Sequence, residues 1–130
     1  MVAPFAMQAK VVALREGDIT GRLGLFAGRR LKLGLCALID IKGIKVVIIS
    51  DRTQTADPIL FEMFDINIAA AHTVVVKSRG HFRAGFLPWF PPEQVYEIDT
   101  EGLTSPVLER WPLENIPRPS FPLDADAHWP

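Results

Sequence analysis

Nine of the chain's eleven prolines lie from Pro88 onwards, and this asymmetry limits where regular structure can form. Proline has a fixed φ and no backbone N–H, so strand ladders and helix interiors tolerate it poorly. The chain therefore changes character at Pro88. The Pro-rich remainder carries Trp89, Trp111 and Trp129, whereas disordered segments are poor in aromatics. It reads as an extended strap lying over the core.

With 130 residues, 48% of them hydrophobic, the chain fits one domain with a real core. Its 14 basic and 15 acidic residues give a net charge of −1, which is no electrostatic footprint for nucleic acid. No apolar run approaches the ~18 residues of a membrane span. Neither nucleic acid nor membrane is expected as a partner. The single cysteine, Cys36, excludes an internal disulfide and sits in an apolar run, which suits inert core packing. Without a charged-then-apolar leader the expected compartment is the cytoplasm.

Residues 1–7 are apolar and unpatterned, and read as a leader or remnant. Ala9–Arg15 reads as a strand entering a turn at Glu16-Gly17-Asp18, with Ile19–Leu23 as its return. Leu31–Ile41 and the β-branched Ile44–Ile49 are expected to pair antiparallel through Gly43, the second of them central. Asp57-Pro58 opens a helix over 57–64 whose buried stripe is Ile59, Leu60, Met63 and Phe64. His72–Lys77 is expected as a strand buried on both faces, followed by a helix over 80–87 and an alternating third strand over 94–99. The fold class is thus α/β, with mixed α+β the alternative. It is read as a single domain with a mixed sheet, an N-terminal antiparallel hairpin region, a βαβαβ portion and the C-terminal strap.

Three loops would then leave parallel strands at their carboxyl ends: Ser50–Thr55, Lys77–His81 and Asp99–Gly102. Ligands bind at that edge of open α/β sheets. The loops bring Asp51, Arg52, Gln54, Lys77, Ser78, His81, Arg83, Asp99 and Thr100 within reach of one another. Ser78 can cap the following helix, leaving free N–H groups beside Lys77, Arg79, His81 and Arg83. Such a junction attracts anions and carboxylates, although a capped strand-to-helix turn is also ordinary scaffolding. His81 as general base and Ser78 as nucleophile stand three residues apart across a turn, a spacing that suits shared capping better than a triad. His72, His81 and His128 are far apart, and neither Cys-x-x-Cys nor His-Glu-x-x-His is present, so no metal ligands are assigned.

The run Val74-Val-Val-Lys-Ser-Arg-Gly-His-Phe-Arg-Ala-Gly-Phe86, with Ile98-Asp-Thr-Glu-Gly-Leu-Thr-Ser105 and Arg118-Pro-Ser-Phe-Pro-Leu-Asp124, resembles the C-terminal domain of microcystinase C-like (MlrC-like) metallopeptidases. The likeness spans residues 8–124, leaving 125–130 as a tail, and Lys77-Ser78-x-x-His81-Phe82-Arg83-Ala84 is its specific part. Ser50–Gln54 fits a polar stretch that the family has after a strand. Glu101 departs from the pattern, which has proline before glycine there.

The resemblance implies a C-terminal accessory domain of a zinc-dependent metallopeptidase or amidohydrolase, the named member acting on linearised microcystin. It implies that zinc is held by an N-terminal domain, that this chain holds no cofactor and is inactive alone, and that its partners are that domain and a peptide or amide substrate. A structural, oligomerising domain and a free-standing small-anion binder are the alternatives. The former fits an apolar face uncovered by the missing part, and hence a homo-oligomer.

Overall fold

The computed structural model describes residues 6–78, 80–100 and 107–128. Residues 1–95 and 96–130 form two compact units. The first is built on a three-stranded antiparallel sheet of β1 (Lys10–Thr20), β2 (Arg30–Ile41) and β3 (Ile44–Ile49), in the order β1-β2-β3. Two short helices follow, α1 (Ile59–Glu62) and α2 (Phe82–Phe86). The fold is mixed α/β.

The β2–β3 hairpin expected through Gly43 is present, with Ile41 opposite Ile44. Lys42 and Gly43 both take positive φ, as a two-residue hairpin turn that follows strand twist requires. The Asp40 carboxylate accepts from the Gly43 N–H at 2.9 Å. The central strand is β2 rather than β3, because β2 is twice as long and finds partners on both sides.

The turn expected at Glu16-Gly17-Asp18 is instead a bulge within a continuous strand. β1 runs on from Glu16 opposite Leu35 to Asp18 opposite Lys32, with a register shift between them. A Cβ on Gly17 would lie 2.5 Å from Leu33 Cβ and 2.6 Å from Cys36 Sγ, so the glycine serves a close approach, a common reason for glycine inside a strand.

The βαβαβ portion is not formed, since β3 pairs only with β2 and neither 72–77 nor 94–99 joins a ladder. A four-residue α1 rises only ~6 Å, against the ~20 Å length of a six-residue strand, and does not carry the chain back for parallel pairing. Val74 and Val76 pack against a core cluster while Val75 is 83% exposed. That segment is therefore extended with one buried face, not two.

One face of the sheet supplies Leu31, Leu33, Cys36 and Leu38, which α1 and the following turn cover with Leu60, Met63 and Phe64. Each such side chain contributes about 1.5–3 kcal/mol when buried. Cys36 is fully enclosed, and burial pushes its thiol pKa up. A second cluster joins Ile68, Phe82 and Phe86. Ile66 packs against both clusters and links them. None of the described helices is long and apolar enough to cross a membrane.

In the second unit, residues 107–128 form turns and one short 3-10 segment, Leu108–Arg110. The reason is local pairing: Arg118 donates to the Asp124 carboxylate at 2.6 Å, and the Ser120 N–H donates to it at 2.7 Å. These bonds curl 118–124 back on itself.

The fully buried Asp57 ties the first unit together. Its Oδ2 accepts the N–H groups of Arg22 (2.6 Å) and Leu23 (2.7 Å), and its Oδ1 accepts that of Ile59 (2.9 Å). Asp57→Ala removes the acceptor of three backbone donors and is expected to lose on the order of 3 kcal/mol, read by urea unfolding. Asp57→Asn keeps one acceptor oxygen and should lose less.

The Asp124 carboxyl is held below the ordinary value of 3.8, first by the Arg118 hydrogen bond and then by the Ser120 N–H. A depressed folded value means that this contribution is complete above the ordinary carboxylate range and is lost as pH falls through the lower, folded value. The Ser120 amide resonance should therefore titrate with a midpoint below 3.8, and Asp124→Asn should abolish that titration.

Candidate functional site

The loop after β3 is fastened at both ends. At its start, Leu33 O accepts the N–H groups of Ser50 (3.1 Å) and Asp51 (3.0 Å), and Ser50 Oγ donates to Leu35 O at 2.7 Å. At its end, Ala56 N–H donates to Gln54 O at 3.0 Å, and Ala56 and Asp57 are fully buried. Arg52 and Gln54 between these anchors are exposed.

The second loop is set by apolar packing. Val74 and Val76 sit against Ile68, Phe82 and Phe86, which turns Lys77 outward. Phe86 meets Phe61 edge-on at 6.3 Å and Phe82 at 6.5 Å. Gly85 allows α2 to lie directly on the backbone before α1, since a Cβ there would be 2.3 Å from Ala56 O. The residues that close the first loop thus also seat α2.

This packing brings His81 to Gln54, with Nδ1 2.7 Å from Oε1. An amide oxygen only accepts, so Nδ1 carries the hydrogen and the lone pair of the neutral ring is on Nε2, directed away from Gln54. Both residues are exposed. Nε2 is therefore open to accept a proton or, when protonated, to donate one.

Ser78 does not cap α2. The helix begins at Phe82, two residues later than expected, and its first turn closes by Arg83 N–H donating to Gly80 O. The Ser78 hydroxyl lies a turn too early, enclosed and, among the described residues, without a hydrogen-bond partner. Arg83 lies with its guanidinium 5.3 Å from the centre of the Phe82 ring, within cation–π range. Lys77 and Arg52 are exposed and, among the described residues, are in no ion pair. Arg79 falls outside the described residues.

Asp99 and Thr100 belong to the second unit, where Asp99 accepts from Arg110. Of the three loops expected to converge, 50–55 and 77–81 do so within the first unit. Asp57 was readable only as a helix opener; an aspartate immediately before proline at a helix start is the signal for its capping role.

Among the described residues, no three His, Cys, Asp or Glu side chains converge to hold a metal ion. His72 Nδ1 meets Thr73 Oγ1 at 3.1 Å, His81 meets Gln54, and Cys36 is enclosed with its thiol pKa raised. These groups do not fit a zinc site.

The class defined is a mixed α/β domain on an antiparallel sheet, with an exposed polar junction between two loops. A family model described as MlrC C-terminus matches residues 2–115, which is most of the chain. The protein belongs to that family. Comparison with curated proteins and with solved structures gives no match.

The His81–Gln54 bond makes a direct expectation. At alkaline pH the ring should be mainly the Nδ1–H tautomer, as read from long-range 15N–1H correlations, whereas Gln54→Leu should shift it towards Nε2–H. A ring already in the Nε2–H form in the unaltered chain would show that the bond is not made.

Proposed function

We propose that this chain is a C-terminal accessory domain of an MlrC-like hydrolase, contributing substrate-binding groups while the metal is held outside it. The reading is supported above all by the hydrogen bond between His81 and Gln54, which joins two polar loops 27 residues apart and leaves Nε2 open. Around it, Lys77 and Arg52 add exposed cationic charge, suited to a substrate carboxylate. Arg83 and the His81 ring act on the substrate carbonyl, as donors to the oxygen that gains negative charge during amide hydrolysis. Ser78 is a further binding group on the same loop.

The substrate of this proposal is a peptide or amide. Zinc enters only as the cofactor of the partner domain. In the absence of that domain the chain hydrolyses nothing and retains no stoichiometric zinc, the second point being checked by elemental analysis.

The decisive test separates folding from turnover. Phe82 is buried in a cluster with Phe86 and Ile68, so Phe82→Ala should cost about 3–5 kcal/mol. His81 and Arg83 are exposed, and His81→Ala or Arg83→Ala should change stability by less than ~1 kcal/mol. Placed at the matching positions of a full-length MlrC-like enzyme, each of these two should lower turnover by roughly tenfold or more. Unchanged turnover with unchanged melting would make the junction scaffolding.

A further inference from the structure

We propose that the face of the β-sheet turned away from α1 is a dimer interface, and that its occupant is a second copy of this chain. Residues directly opposed on neighbouring strands share a face. The register therefore places Leu14, Ala37 and Ile48 in one row and Val11, Ile39 and Val46 in the next. Leu33, Cys36 and Leu38, under α1, belong to the other face. On the outer face Val11, Leu14, Leu35, Ile44 and Ile48 are 58%, 59%, 55%, 67% and 48% exposed. Isolated exposed leucines are ordinary, whereas a contiguous apolar field over three strands marks an interaction site.

Charge distribution selects the occupant. Asp40 and Lys45 oppose each other in a row of the α1-covered face, so the centre of the outer face is free of charge. Its charged residues gather at one end. There Arg30 is paired with Asp18 through Nε (2.7 Å) and Nη2 (2.5 Å), and Glu16 stands opposite Leu35. A partner chosen by charge would find nothing complementary in that centre, and the core of a specific interface is depleted of charge. A second copy presents the same uncharged, largely β-branched pleated surface. The same patch on both copies is what a two-fold interface needs.

Three strands ~4.8 Å apart and about seven residues of ~3.3 Å each give a face of roughly 330 Å² per copy in projection. A face-to-face pair therefore covers roughly 700 Å² in all, below the ~1,200 Å² of stable interfaces, so the dimer is a weak one that forms at high concentration. Sheets pack this way ~10 Å apart with nearly aligned strands. The His81–Gln54 junction contributes no residue to this face, so dimerisation and the role of the junction stand or fall separately.

The test is sedimentation analysis of the whole 130-residue chain from low micromolar to near-millimolar concentration. A mass rising from 14.5 kDa to twice that value is expected. Leu14→Lys with Ile48→Lys should weaken dimerisation at least ~100-fold by burying unpaired charge, with far-UV circular dichroism unchanged. Leu14→Thr with Ile48→Thr keeps strand propensity, and should weaken it less while leaving the fold intact even where the lysine pair does not. A chain that stays monomeric at the highest concentration overturns the proposal and leaves the face to another polypeptide. So does a dimer that persists in both double variants, which would place the interface elsewhere, such as the free edge of β3.

Discussion

The first unit depends on one carboxylate with no exposure to solvent. Asp57 accepts three backbone N–H groups drawn from two places in the chain, 22–23 and the start of α1. A buried charge is tolerable only where hydrogen bonds replace its hydration, and here they come from backbone whose position is thereby fixed. The consequence extends to α2, because Gly85 rests on Ala56 O and the 24–26 turn packs on the same helix. Removing the carboxylate therefore loosens more than a helix cap. It releases the platform on which the His81 end of α2 is held against Gln54.

Much of the sheet was legible because side-chain alternation and turn chemistry act locally. Ile41-Lys42-Gly43-Ile44 prescribes a tight hairpin, and the β-branched run after it can only be a strand. The limit was reached where two environments give the same residues. Glu16-Gly17-Asp18 reads equally as a turn or as a bulge, and only the length of β2 decides, since it offers partners on both sides of Gly17. Val74-Val75-Val76 reads as a doubly buried strand, yet it alternates between the Phe82 cluster and solvent. A run of valines reports affinity for extended backbone and does not report how many faces are covered.

The candidate site shows the same division. Phe82 and Phe86 were readable as the buried side of a helix, and with them the outward placement of the polar residues between. The pairing of His81 with Gln54 was not, because it depends on the length and tethering of the intervening 27 residues. Nor was the idle Ser78 hydroxyl, since capping requires a helix to start where spacing suggests, and α2 starts later. Asp99 found a partner in Arg110 within its own unit, a pairing that a parallel-sheet reading had no reason to consider.

The polar junction and the outer sheet face have opposite physical character. At the junction, apolar residues are satisfied by the Ile68–Phe82–Phe86 cluster, and polar ones are left facing water with a hydroxyl unpaired. On the outer face, backbone polar groups are satisfied by the ladders and apolar side chains are left facing water. An enclosed hydroxyl without a partner costs roughly 1–3 kcal/mol, and exposed apolar surface forgoes about 25 cal/mol for every Å² that burial would have removed from water. Neither cost is demanded by the core, since Leu33, Cys36, Phe82 and Phe86 would pack the same way without them. Polar groups are thus left facing water at one place in the first unit and apolar groups at another, and the Asp57-anchored core dictates neither.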